Sequence, residues 1–261
     1  TYDTDAAISQ RGLSRWHNYY VEGLDWLLRE KCFYSLYLDG IGYDRDIMKR
    51  VARIMSRHYP DYRIEHHQCT NPEGTNSVIN QNLEHMPYVT ELWYGESFNY
   101  NKSPDYWLVD ICGLPFGVTG EMLDNTGTIN MYRGMIFGIT GRIGGREDIW
   151  KLWDDFAIAD AKMLGYWDKG CPVKTDCADV PATVYRGEGT SLIALASWSR
   201  KTENVTLAVD WKALGLDPRT AVLRAPAVGK WQDAQTFKPG DSIPIPTGKG
   251  WFLIAETADA P

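Results

Sequence analysis

From Leu13 to Glu30 the apolar side chains Trp16, Tyr20, Leu24, Leu27 and Leu28 recur at helical spacing, which predicts an amphipathic helix. The run CFYSLYL that follows, Cys32 to Leu38, is short and rich in apolar and aromatic residues, as a buried strand is, and Asp39-Gly40 ends it. Asp44 to Arg57 then places Ile47, Met48, Val51, Ile54 and Met55 on one helical face, and Tyr62 to His67 (YRIEHH) reads as the next strand. A third strand is predicted at Tyr88 to Tyr94, running into Gly95-Glu96-Ser97, and a fourth at Leu114 to Thr119, running into Gly120-Glu121. Helices are predicted at Ile129 to Thr140 and at Arg146 to Leu164. Strand and helix alternating at this pitch imply a parallel sheet with helices outside it.

After Tyr166 the texture changes to short β-patterned runs, ATVYRG, SLIALASW, VTLAVDW, TAVLRAP and GWFLIAE, separated by Gly, Pro, Asn and Asp turns. This predicts an antiparallel all-β sandwich over residues 182–261, joined by a linker at 169–181 to an α/β domain over 1–168. A complete (β/α)8 TIM barrel takes about 250 residues, and only about 165 precede the β domain. No glycine-rich phosphate loop follows a predicted strand, as a nucleotide-binding open sheet would require. The α/β domain is therefore expected to be the C-terminal part of a (β/α)8 barrel, completed by an N-terminal segment absent from this chain. The opening TYDTDAAISQ, neither a leader nor an initiating methionine, fits that expectation.

Composition narrows the function. Of 261 residues 44% are hydrophobic, enough for two cores, and no run of 18 apolar residues marks a membrane span. Lys and Arg number 27 against 34 Asp and Glu, a net charge of −7, so a phosphate backbone would be repelled and nucleic acid is not expected as a partner. Five scattered cysteines, with no CxxC pair and no zinc-type His spacing, give no metal site, and no cofactor is expected. Only Cys171 and Cys177 are close in sequence, as either a disulfide or two free thiols. Eleven Trp and fifteen Tyr supply flat apolar faces with hydrogen-bonding edges, suited to sugars and equally to packing. Trp198, Trp211, Trp231 and Trp251 lie in or beside apolar strand runs and are expected as core or interface anchors.

Acidic residues stand at the ends of three predicted strands: Asp39 in YLDGIGYDR, Glu96 in LWYGESFNY and Glu121 in VTGEML. In a parallel barrel those ends converge on one face. Glycoside cleavage needs such a pair, one acid to protonate the leaving oxygen and one carboxylate to attack the anomeric carbon or activate water. The competing reading is local, since Asp-Gly is a common turn and an acidic residue after a strand is often a helix cap. For Asp39 the cap is already available from Tyr43-Asp44-Arg45. Asp39 and Glu96 are thus the candidate catalytic residues. Tyr43, Asp44, His66, Trp93, Tyr94 and Glu121 are the candidate substrate-binding residues. His66 and its neighbour His67 follow a strand, where a sugar hydroxyl contact competes with ordinary burial.

The stretches RWHNYYVEGLDWLLREKCFYSLYLDGIGYDRDIMKRV, ELWYGESFNY, GLPFGVTGEML and ALASWSRKTENVTLAVDW resemble the C-terminal part of bacterial glycoside hydrolases with a (β/α)8 barrel followed by a β-sandwich, distantly α-galactosidase-like. The resemblance implies a polysaccharide- or oligosaccharide-cleaving enzyme, periplasmic or secreted, with Asp39 as nucleophile and Glu96 as acid/base of a retaining mechanism. Should Asp39 end the fifth barrel strand rather than the fourth, the roles shift toward Glu96 and Glu121. A non-catalytic carbohydrate-binding protein on the same fold, and an assembly role for the aromatics, are the alternatives.

Overall fold

The structure, a computed structural model, describes residues 15–31, 33–39, 44–68, 83–94, 101–109, 119–122, 129–139 and 147–258. The chain divides into two compact units, Thr1–Asn99 with Tyr106–Gly120, and Tyr100–Asp105 with Glu121–Pro261.

The first unit begins with helix α1 (Arg15–Lys31), which buries His17, Val21, Leu24 and Leu28 along one stripe and places Arg29 and Lys31 in its last turn, where cations complement the helix dipole. Strand β1 (Ser35–Leu38) follows, then α2 (Arg45–His58). Asp44 starts α2 as its N-cap, its Oδ1 accepting from the Ile47 amide at 2.9 Å, and Ile47, Met48, Val51, Ala52, Ile54 and Met55 are buried along the helix. His58 at the end of α2 lies 2.8 Å from Asp25 of α1, and that hydrogen bond holds the Asp25 carboxyl below its ordinary pKa. Strand β2 (Arg63–Gln68), a 3-10 turn at Leu83–Tyr88 and β3 (Glu91–Tyr94) come next, and the short helix α3 (Pro104–Trp107) and β4 (Thr119–Met122) each fall partly in the first unit and partly in the second.

The four strands form one sheet in the order β1-β2-β3-β4, with β1/β2 and β2/β3 parallel. Tyr37 lies beside Glu65 and Leu38 beside His66, while His66 lies beside Leu92 and His67 beside Trp93. Side chains alternate between faces along a strand. Leu38, Ile64, His66, Leu92 and Tyr94 therefore share the buried face, and Tyr37, Glu65, His67 and Trp93 share the other, more open one. Helices α1 and α2 and strands β1, β2 and β3 are those the apolar pattern predicts; of the strand predicted at Leu114 to Thr119 only Thr119 lies within the described residues, where it opens β4, so that Gly120-Glu121 falls inside the strand.

The second unit carries α4 (Ile129–Ile136) and α5 (Glu147–Phe156) ahead of the β strands. The helix predicted to run to Leu164 ends earlier. Ala157 takes a left-handed conformation, φ 56°, a short 3-10 turn follows, and Lys162–Leu164 becomes strand β5. The predicted linker likewise contains strand β6 (Val173–Thr175). Then come β7 (Ala182–Arg186), β8 (Ser191–Ala196), β9 (Glu203–Val205), β10 (Leu207–Val209), helix α6 (Trp211–Leu214), β11 (Ala221–Ala225), β12 (Gln235–Phe237), β13 (Ile243–Ile245) and β14 (Gly250–Thr257).

These strands make a six-stranded antiparallel sheet, β12-β11-β14-β8-β7-β5, and two two-stranded ribbons, β10-β6 and β13-β9. Leu164, Val184, Ile193, Leu195, Leu223 and Leu253 share a core with Val173, Val205, Ile243 and Ile245 of the ribbons. Each such side chain contributes about 1.5–3 kcal/mol by leaving water. The intervening residues meet α4: Tyr132 stacks on Phe252 with centroids 5.0 Å apart, Tyr185 donates to the Met135 carbonyl at 2.6 Å, and Thr183 donates to the Ile136 carbonyl at 2.7 Å. Among the expected anchors, Trp231 is buried and Trp211 and Trp251 pack against the core. Cys171 and Cys177 are both free thiols. No helix of the described residues is long and apolar enough to cross a membrane.

Candidate functional site

The C-terminal ends of β1, β2 and β3 bring together residues that the sequence keeps far apart. Asp39 directly follows buried Leu38, so it projects to the open face beside His67, which the register in turn sets beside Trp93. Asp39 Oδ1 lies 3.0 Å from His67 Nδ1; 63% of the Asp39 side chain is exposed, against 12% for His67. The Tyr37 hydroxyl is hydrogen-bonded to the same Nδ1 at 2.9 Å. His67 stacks on Trp93 at 4.9 Å and 20°, and Tyr37 leans against Trp93 at 5.2 Å.

This arrangement fixes a tautomer. An ionised carboxylate has only acceptors to offer, so its approach to Nδ1 calls for a proton on that nitrogen, which Asp39 and the Tyr37 oxygen then share. The result is an exposed carboxylate oriented from one side by an imidazole that is itself clamped by two aromatic rings. A flat aromatic wall beside a solvent-facing carboxylate matches the apolar face and reactive ring carbon of a sugar. Arg45 is engaged elsewhere, 3.9 Å from Asp46. Further from the rim on the same face, Arg63 of β2 forms an ion pair with Glu91 of β3.

Two predicted binding residues turn away from this face. His66 is 5% exposed on the opposite side of the sheet, its ring 5.7 Å from that of buried His85. Burial, reinforced by the charges of His85 and His67, lowers its pKa to about 4. Tyr94 is also fully buried on that side, meeting the edge of Trp107 at 6.2 Å. A Cβ built on Gly120 of β4 would lie 2.6 Å from the Tyr94 ring and 2.9 Å from the Leu92 carbonyl, so glycine is what lets β4 come this close. Asp44, the third correction, spends its side chain on capping α2.

Trp93 lies on the open face, beside His67. Glu121 falls within β4 rather than after it, and its side chain lies outside the described residues, as do Glu96 and Tyr43. The sequence reading missed Tyr37 and preferred His66 to His67. Strict alternation would have corrected it, because apolar Leu38, Ile64 and Leu92 mark one face and leave Asp39, His67 and Trp93 on the other. Among the described residues, no group of three or more His, Cys, Asp or Glu side chains gathers to hold a metal ion.

Similar proteins agree with this architecture. In fold the chain is similar to the noncanonic maltogenic α-amylase AmyB from Thermotoga neapolitana, with a TM-score of 0.54 and 9% identity over 93% of this chain and 66% of that one. An α-amylase from Geobacillus thermoleovorans, solved with acarbose, gives 0.54 and 9% over 92% of this chain and 64% of its own. A GH27 β-L-arabinopyranosidase from Geobacillus stearothermophilus gives 0.55 and 12% over 100% and 70%. The chain thus spans about two thirds of the length of these structures. No curated protein matches it in sequence. The family model described as glycoside hydrolase 123, TIM-barrel domain, matches residues 1–144, and that described as glycoside hydrolase 123, C-terminal domain, matches residues 145–256. With barrel strands, β domain and both family models in the same order along it, the chain belongs to glycoside hydrolase family 123.

Proposed function

We propose that this chain supplies catalytic residues for the hydrolysis of O-glycosidic bonds in an oligo- or polysaccharide. The observation that carries the reading is Asp39, exposed at the C-terminal rim of parallel strands, held by His67 and flanked by the Tyr37 and Trp93 rings. Active sites of parallel barrels lie at that rim. Membership of a glycoside hydrolase family supports the same reaction class.

In the retaining form of the reaction, Glu96 protonates the glycosidic oxygen while Asp39 attacks the anomeric carbon to form a glycosyl ester. Glu96, now a base, then takes a proton from the water that cleaves the ester. His67 meets Oδ1, which leaves Oδ2 of Asp39 as the attacking atom. Trp93 offers its ring to the apolar face of the sugar. Glu121, two strands on from His67, is the further acidic candidate for a sugar hydroxyl.

The test is hydrolysis of a panel of nitrophenyl glycosides by the intact enzyme and its Asp39→Asn and Glu96→Gln variants, with the anomer of the first-formed product followed by NMR. Each substitution is expected to lower turnover at least about a hundredfold, and the first product is expected to keep the substrate's configuration. Full activity in Asp39→Asn overturns the nucleophile assignment, and an inverted product overturns retention. Glycan binding with no hydrolysis in the parent protein favours a binding protein instead.

A further inference from the structure

We propose that Trp167 is the platform of a carbohydrate-binding site on the second unit, one that stacks a hexopyranose ring of a glycan chain. The inference rests on membership of a glycoside hydrolase family, not on the roles given to Asp39 and Glu96.

Trp167 stands in the turn that follows β5 and is 40% exposed. The indole N–H groups of Trp153, Trp198 and Trp251 donate to Met135 Sδ, the Lys102 carbonyl and the Pro244 carbonyl, at 3.0, 2.8 and 2.8 Å. That of Trp167 has no acceptor among the described residues. A single exposed ring is ordinary, but the mount of this one is not. A Cβ built on Gly165 would lie 2.5 Å from each of Cε2, Cζ2 and Cη2 of Trp167. Equal distances to three consecutive atoms of a six-membered ring place that point over the ring's face rather than at its edge. The indole therefore lies flat on the buried backbone of Gly165, a seat that only glycine leaves room for, and its exposed area is on the side facing away.

The turn itself is fixed. The Asp168 amide donates to the Gly165 carbonyl at 2.8 Å, and the Tyr166 amide donates to the Thr183 hydroxyl at 3.3 Å. Lys174 Nζ donates to the Tyr166 carbonyl at 3.0 Å, and the Gly170 amide donates to Asp168 Oδ1 at 2.7 Å. Buried Phe137 lies nearly parallel to the indole, at 15° with centroids 6.3 Å apart, and Tyr166 stands perpendicular to it at 5.2 Å. A ring already held in place loses little conformational entropy when a ligand stacks on it.

The groups beside the ring select a sugar. Asp168 and Lys169 follow Trp167 in the chain; Lys169 is exposed, and Asp168 gives one carboxylate oxygen to Gly170, which leaves the other for a hydroxyl. A pyranose presents an apolar C–H face ringed by hydroxyls. A flat indole with its own N–H donor, a carboxylate acceptor and an ammonium next to it matches both parts. A protein partner would call for a contiguous apolar patch, whereas the next two residues in the chain are charged.

The test is native electrophoresis of the intact chain in gels containing soluble starch, galactomannan or xyloglucan, with Trp167→Ala, Trp167→Phe and Gly165→Ala alongside. Retardation needs no turnover, so its result is independent of whether Asp39 and Glu96 carry the reaction. The parent is expected to be slowed by at least one of these polymers. Trp167→Ala is expected to lower the affinity for that polymer about tenfold or more, and Trp167→Phe, which keeps a smaller flat ring, to lose less. Gly165→Ala keeps the indole but lifts it off its seat, and is expected to weaken binding as well. Urea unfolding checks that each variant is folded. Hydroxyl-radical footprinting needs no variant: on the parent, the polymer is expected to protect the peptide containing Trp167. A parent that none of the three polymers slows, no protection at Trp167, or folded variants that all bind as the parent does would each overturn the proposal.

Discussion

Asp39 Oδ1 and His67 Nδ1 stand 3.0 Å apart across the ends of two adjacent parallel strands, so the aim of the exposed carboxylate depends on a histidine that the sheet register delivers. The histidine is in turn held by Tyr37 and Trp93. His67→Phe keeps the ring stack and deletes the donor. Losing a hydrogen bond to a charged group costs about 1.5–3 kcal/mol, so kcat is expected to fall about ten- to a hundredfold. His67→Asn, which can offer an amide N–H near the position of Nδ1, is expected to recover part of the loss. Steady-state kinetics check both; equal activity in the two variants would separate the histidine from Asp39.

His66, on the buried face, makes stability depend on pH. Its pKa in the folded protein is about 4 against an ordinary 6.5, so the unfolded chain takes up the proton first as pH falls. The stabilisation from keeping it neutral is therefore complete above about pH 6.5 and is lost progressively toward about pH 4, amounting to about 3 kcal/mol. Urea unfolding at several pH values in this window, for the parent and for His66→Gln, measures it. The difference between the two proteins is expected to shrink on acidification; a constant difference would remove His66 as the cause.

Gly250 opens β14 opposite Ala196, and a Cβ there would lie 1.9 Å from the Leu195 carbonyl oxygen and 2.8 Å from the Tyr132 ring. Both neighbours are buried, so the clash has little room to relax. Gly250→Ala is expected to destabilise the protein by about 1–3 kcal/mol, as overpacking does. A denaturation midpoint unchanged from the parent would show that the sheet can move aside.

The helices α1 and α2 and the strands β1 to β3 were legible because their apolar residues keep one period over enough positions to define a buried face. The stretch after Phe156 was not. Met163 and Leu164 continue the helical spacing of α5, yet they pair with Tyr185 and Val184, partners some twenty residues away that no local pattern reveals. The placement of Asp39 and Trp93 at strand ends was legible, whereas telling which of His66 and His67 shares their face needed the strand's parity, because one residue reverses the face. Asp44 was recognisable both as a ligand and as a cap, and the amide of Ile47 decides for the cap. The grip of Trp198 on Lys102 joins positions too distant in the chain for any spacing argument to find.

The account turns on Asp39 forming a bond to sugar carbon. On the best substrate from the glycoside panel, the corresponding 2-deoxy-2-fluoro glycoside with an activated leaving group should trap that ester, and peptide mass spectrometry then locates it. The account requires one glycosyl adduct, on the peptide containing Asp39, absent from Asp39→Asn. An adduct on another carboxylate, or turnover with no covalent adduct, would contradict it.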